Sequence, residues 1–185
     1  MRRVVITGIG IVSCIGNNKK EVLDSLLNTK SGIIFSEEHK KYNFRSHVVG
    51  NVKNLNFSDH IDRKQLRFMG DGSAYNFIAL KEAIEESGLK EKDISNEKTG
   101  IVMGSGGPSI KNVYLAVDTI RKSAPKRMGP YIVPRTMAST CSATLAVPYK
   151  IKGVNYSISS ACATSGHCIG HGMELIQYGK QDIIF

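Results

Sequence analysis

Paired cysteines are what this sequence most plainly lacks. Cys14, Cys141, Cys162 and Cys168 show neither the close spacing of a zinc ribbon nor a disulfide framework. That excludes a small stapled scaffold and points to a reduced, cytoplasmic compartment. Long hydrophobic runs are missing as well. "MRR" followed by "VVITGIGIVSCIG" mimics a signal peptide, but three glycines interrupt it, no small-x-small cleavage site follows and "NNKKE" comes next. The run is too short to cross a bilayer, so it reads as a buried first strand and its turn, with no membrane insertion expected. Acidic residues are in deficit, 16 against 25 lysines and arginines, for a net charge of +9. Such a balance raises nucleic acid, an anionic membrane or an acidic protein as partner. The basic residues are spread along the chain, however, and no RNA-binding aromatic motif or zinc-finger spacing occurs, which argues against nucleic acid. Repeats and low-complexity tracts are absent too. What is left is one soluble globular domain over residues 1–185, long enough for a substantial core.

Strands alternate with helices along that domain. "RRVVITGIG" reads as a strand, and "NKKEVLDSLLN" as a helix with Val22, Leu23, Leu26 and Leu27 on its apolar side and Asn18 with Glu21 as a capping box. Residues 30–60 are irregular, with strand character in "SHVVGNV". Asp62 opens a helical region with Gln65 in the capping-box position, and "GSAYNFIALKEAIEESG" is an amphipathic helix that Gly88 closes. "TGIVMGSGG" is a buried strand running into a glycine turn, "KNVYLAVDTIRK" a helix, and "PRTMASTCSATLAV" a further helix with proline in its first turn. "GVNYSIS" is a strand, "ATSGHCIGHGMELIQYG" a helix closed by Gly179, and "QDIIF" the start of another strand. This order predicts an α/β fold with a largely parallel sheet. Ending at Phe185, inside what reads as a strand, the sequence looks truncated.

Cys162 holds the most chemical promise. In "NYSISSACATSGHCIG" a strand delivers it to a helix start, and Ser160, Ala161 and Ala163 allow a tight turn with the thiol at its tip. That is the plan of a nucleophile elbow, without the G-x-S-x-G consensus. A helix start favours thiolate, and free backbone N–H groups there can hold an oxyanion. Most cysteines are small buried residues, and Cys14, Cys141 and Cys168 keep that reading.

"GVNYSISSACATSGHCIG", with "VVITGIGIVS" near the start, "GSGG" at 104–107 and "GKQDIIF" at the end, resembles the bacterial β-ketoacyl-[acyl carrier protein] synthases. The "SSACATS" form with its following "HCIG" is closer to synthase I than to synthase II. The resemblance runs through all 185 residues but covers only the N-terminal half, or slightly less, of such an enzyme. It implies a thiolase-like layered αβαβα fold, of which this chain is one half, and fatty-acid elongation by decarboxylative Claisen condensation. Cys162 would carry the acyl group as a thioester, with its own backbone N–H in the oxyanion hole. Two histidines and a lysine that the family also needs lie in its second half, and none of those motifs occurs here. The resemblance further implies no metal or nucleotide cofactor, phosphopantetheine brought by the acyl carrier protein, a cytoplasmic homodimer, Gly106 and Gly107 near the acyl pocket, and Met137 reaching into the partner's pocket. Arg63, Lys64 and Arg67, with Lys126 and Arg127, match the patches by which the family docks its acidic carrier. From the residues alone they read as a solvated basic face. A homologue or fragment that keeps dimer and carrier contacts without turnover is the alternative.

Other patterns carry less. Gly8 and Gly10 follow the first strand, but Ser13 replaces the third glycine of a dinucleotide fingerprint, and "MGSGGPS" lacks the lysine-serine pair of a P-loop. His167, His171 and Glu174 share one helix face, yet such spacing usually marks packing or solvated residues rather than a metal site. At 171 the family more often has a small or polar residue, so the resemblance implies no role for His171.

Overall fold

A computed structural model describes residues 1–185. α1 (Lys19–Leu27) precedes β1 (Ile33–Phe35), α2 (Glu37–Lys41) and β2 (Val48–Gly50). α3 (Arg63–Leu66), α4 (Asp71–Ser87) and α5 (Glu91–Ile94) lead to β3 (Thr99–Val102). α6 (Ile110–Lys122), α7 (Ile132–Thr136) and α8 (Thr140–Tyr149) come before β4 (Asn155–Tyr156), and α9 (Thr164–Gln177) before β5 (Ile183–Ile184). The signals that start and stop these helices are local. Asn18 accepts the Glu21 N–H, Asp62 accepts the Lys64 N–H, and Gly88 and Gly179 take positive φ where α4 and α9 end.

β3 is the centre of the molecule. All four of its residues are buried, and it pairs in parallel with β4 on one side and β5 on the other. Successive side chains of a strand point to opposite faces. Ile101 accordingly joins Phe77, Ile78 and Leu145 of α4 and α8, while Val102 joins Cys168 and Leu175 of α9. Helices thus cover both faces of a parallel sheet, the α/β architecture expected from the alternation of elements.

Three expectations need correction. Residues 1–12 form neither a strand nor a buried segment: Val5, Ile6 and Ile9 are 59%, 79% and 52% exposed. No strand pairs with them. Instead, the Ile9 and Ile11 amides donate to the carboxylates of Glu86 and Glu82 on α4. Gly10 permits this approach, since a Cβ there would stand 1.7 Å from the Ala79 carbonyl oxygen. Glu82→Ala and Glu86→Ala are therefore expected to speed hydrogen exchange at Ile11 and Ile9, respectively, by about tenfold or more, with α4 amides unchanged. Unchanged protection at those two amides would show that the carboxylates do not hold the segment.

The helix expected over "PRTMASTCSATLAV" is two helices. Thr136 would accept the Thr140 N–H in a continuous helix, but its carbonyl is taken by the Ser109 N–H, and Met137 turns extended. Pro134 consequently lies inside α7 rather than at the start of one long helix. On α1, Val22 is buried as its spacing predicts, whereas Leu23, Leu26 and Leu27 face outward. The strand character in "SHVVGNV" is borne out by β2, which pairs antiparallel with β1, a strand the sequence reading did not pick out.

Candidate active site

The turn between β4 and α9 is held from several directions. Ala161 has φ +46°, a left-handed conformation costly for a residue with a side chain, and it immediately precedes Cys162. Cys162 sits in a 3₁₀ turn, Ala161–Ala163, directly ahead of α9 rather than in the helix itself. Its side chain is exposed, and its amide donates to no backbone or side-chain acceptor in the chain. Buried Thr164 clamps the turn, its hydroxyl accepting the Ser160 N–H and donating to the Ala161 carbonyl, each at 2.8 Å.

The glycine turn after β3 packs directly under this elbow. A Cβ at Gly104 would lie 1.8 Å from the Ile158 carbonyl oxygen, and one at Gly106 would lie 2.9 Å from that of Ala161. Gly106 thus supports the strained residue. Gly107 and Met137 line a separate cavity of about 130 Å³ together with Ser73, Arg135 and Cys141. Cys162 does not line that cavity. Gly104 and Thr164 escaped the reading of the sequence because nothing local marks them: Gly104 is one of three glycines in "GSGG", and Thr164 one of several small polar residues around the cysteine.

The four thiols differ in setting. Cys141 and Cys168 are buried and Cys14 is half-buried. Burial pushes the Cys168 thiol up, partly offset by a backbone hydrogen bond at Ile158, with Cys141 adding to the rise. A raised thiol pKa leaves less thiolate at neutral pH, so Cys168 becomes reactive only as the solution turns alkaline. In folded full-length protein, iodoacetamide at pH 7 should label Cys162 at least about tenfold faster than Cys168, with the gap narrowing towards pH 10. Peptide mapping reads this directly, and preferential labelling of any other cysteine at pH 7 contradicts it.

The whole chain, residues 1–185, matches the β-ketoacyl synthase N-terminal domain. The chain belongs to the β-ketoacyl synthase family. It is 59% identical to 3-oxoacyl-[acyl-carrier-protein] synthase 1 of Haemophilus influenzae and 54% identical to that of Escherichia coli K12. All of this chain is covered in both cases, but it spans only 46% of either relative. A crystal structure of a β-ketoacyl synthase from Burkholderia phymatum STM815 superposes with TM-score 0.83 at 26% identity, over 98% of this chain and 45% of that one. A type II polyketide ketosynthase, AntDE in complex with its acyl-carrier protein AntF, superposes with TM-score 0.79 at 18% identity, over 98% of this chain and 48% of that one. The fold of this synthase domain is thiolase-like, as the resemblance implied.

Within the synthase domain the basic residues lie on two elements. Arg63, Lys64 and Arg67 are exposed at α3, and Lys126 and Arg127 are exposed in the 3₁₀ turn Pro125–Met128. The Arg67 guanidinium stacks on the rings of Phe68 and Tyr131, 5.4 and 4.9 Å from their centroids, and its carbonyl accepts the Arg135 Nε–H at 2.8 Å. Tyr131 lies 64 positions from Arg67 (131 − 67), so no local pattern in the sequence joins them. His167, His171 and Glu174 share a groove on α9, but no group of three or more His, Cys, Asp or Glu side chains is arranged for a metal ion. No helix is long and apolar enough to cross a membrane.

Proposed function

We propose that this chain carries the acyl-accepting half of a β-ketoacyl-[acyl carrier protein] synthase I, an enzyme of fatty-acid elongation. The observation that carries the reading is the exposed Cys162 beyond a strained residue, with its own amide free beside it. Cys162 thiolate attacks the acyl thioester on the carrier's phosphopantetheine. A sulfur–carbon bond forms to Cys162, and the pantetheine thiolate leaves and takes a proton. Malonyl-carrier then loses carbon dioxide, and the resulting carbanion attacks the Cys162 thioester carbonyl. A carbon–carbon bond forms, the cysteine thiolate departs, and 3-oxoacyl-carrier is released. The Cys162 N–H stabilises the oxyanion in both tetrahedral intermediates. Atoms and electrons balance without a metal or nucleotide, and phosphopantetheine arrives on the carrier. Gly106 and Gly107 lie near the acyl pocket, Met137 reaches into the pocket of the partner subunit, and the enzyme works as a cytoplasmic homodimer. The test is to incubate full-length protein with acyl-carrier and map the mass increase. A thioester on the peptide containing Cys162 supports the reading, and an adduct elsewhere overturns it.

The second reading is a homologue that keeps dimer and carrier contacts without turnover. Assaying the full-length protein for malonyl-carrier decarboxylation separates the two, since turnover excludes the second, whereas residues 1–185 alone should be inactive on either reading because decarboxylation draws on groups of the other half.

The carrier docks on Arg63, Lys64, Arg67, Lys126 and Arg127. Support comes from their exposure, and from the ketosynthase of the same fold that binds an acyl-carrier protein. Stacking on Phe68 and Tyr131 holds Arg67 ready, which lowers the ordering cost of docking. Arg63→Glu with Arg67→Glu should raise the KM for acyl-carrier about tenfold or more and flatten its salt dependence. Turnover of a small acyl-pantetheine should stay unchanged. Equal losses on both substrates would mark these arginines as structural.

A further inference from the structure

Tyr156 and His171 lie outside every role described so far. Tyr156 ends β4, six residues before Cys162, and His171 sits on α9, nine residues after it. The Tyr156 hydroxyl and His171 Nε2 are hydrogen-bonded, with ring centroids 5.7 Å apart. His171 Nδ1 lies 3.3 Å from Glu174 Oε2. A carboxylate oxygen only accepts, so Nδ1 is the donor to Glu174, and in a neutral imidazole Nε2 accepts from the Tyr156 hydroxyl. A chain of two hydrogen bonds therefore runs from the strand that leads into the Cys162 turn to the helix that leads out of it.

The Ser157 hydroxyl, next along the chain, hydrogen-bonds to Ser139 and Ser142 at the start of α8, and the strand itself adds little. β4 is two residues long, pairs with one neighbour through Ile101↔Asn155 and Val102↔Tyr156, and is exposed at both residues. A strained turn persists only where its surroundings over-determine it, and Ala161 needs both flanks fixed. Thr164 and Gly106 fix the turn itself.

We propose that Tyr156, His171 and Glu174 form a positioning clamp that fixes the Cys162 turn by tying the strand before it to the helix after it. This rests on Cys162 being the nucleophile. None of the three touches substrate; they act through the backbone of residues 157–163. Misplacing a nucleophile by about 1 Å costs on the order of a hundredfold in rate, so partial release of the turn should cost about tenfold.

The experiment compares Tyr156→Phe, His171→Ala, the double variant and His171→Gln in full-length protein. Three readouts are taken: the rate of Cys162 acylation by a small acyl-pantetheine, the KM for acyl-carrier and the melting temperature. Tyr156→Phe and His171→Ala should each slow acylation about tenfold at unchanged KM. The double variant should lose no more than the worse single one, because both break one chain. A glutamine amide can accept from Tyr156 and donate to Glu174, so His171→Gln should recover most of the rate. Additive losses, failure of glutamine to restore the rate, or wild-type rates throughout would overturn the clamp. If His171→Ala proves unstable, Tyr156→Phe and His171→Gln decide alone, since each keeps a side chain of similar size. Wild-type protein that takes no acyl group on Cys162 would overturn the nucleophile assignment and the clamp with it, whereas acylated wild type with indifferent variants overturns the clamp alone.

Discussion

Cys162→Ala in the full-length protein should abolish acyl-enzyme formation while leaving the fold intact. The thiol is exposed, so its removal opens no cavity and strands no buried partner. What disappears is the only atom placed to form the covalent bond: Cys141 and Cys168 are buried, and Cys14 lies outside the turn. A residual rate would depend on direct attack at the carrier thioester without a covalent stage. Condensation should fall by more than about a thousandfold, or about 4 kcal/mol of transition-state stabilisation. Intact-mass spectrometry after incubation with acyl-carrier reads the first effect, and calorimetry should show the melting temperature within about 1 °C of wild type. An acyl adduct persisting in the alanine variant would sink the assignment.

Gly104→Ala should be nearly as damaging without touching the thiol. Its Cβ would stand 1.8 Å from the Ile158 oxygen and 2.9 Å from the Thr164 methyl, and Ile158 leads into the strained turn. Backbone does not move aside as a flexible side chain does, so either β3's exit or the 158–164 segment must shift. Overpacking typically costs about 1–3 kcal/mol of stability. The larger effect falls on geometry: displacing the elbow by about 1 Å lowers acylation on the order of a hundredfold. Gly107→Ala is the control when both are assayed with an acetyl donor, too short to use the acyl pocket, because no atom lies within 4 Å of a Cβ built there. Acylation rates for the two variants should therefore differ by at least about tenfold. Equal behaviour would mean that the close contact at Gly104 does not position the turn.

The comparison of these two glycines shows how far the sequence could be read. "GSGG" flagged a turn that leaves room, and the family resemblance assigned Gly106 and Gly107 to the acyl pocket. In the folded chain Gly106 meets Ala161 and Gly107 meets a cavity. Gly104, with the tightest contact of the three, was not singled out, because its partner Ile158 lies 54 residues away (158 − 104). The same limit explains the break at Met137. Local sequence favours a continuous helix there, and a hydrogen bond from Ser109 ends it. Residues 1–12 fail for the converse reason. Their apolar composition predicts a buried strand, but no strand pairs with them, and the segment lies along α4 with its amides on Glu82 and Glu86 and Val12 packed against the core.

By itself, the sequence determined the order of helices and strands, most of the helix ends, the α/β class and the candidate nucleophile. Each follows from short-range chemistry: side-chain periodicity, a cap three residues away, or small residues where a strand meets a helix. Only the tertiary structure decided that the Cys162 amide is free, that Gly104 and Thr164 hold the turn, that Arg67 packs against both Phe68 and Tyr131, and that His171 reaches back to Tyr156. Most of these contacts join elements distant in the chain, and even the near ones depend on how the chain turns back on itself around β3. Packing geometry sets which backbone and side-chain groups meet there, and no local preference encodes it.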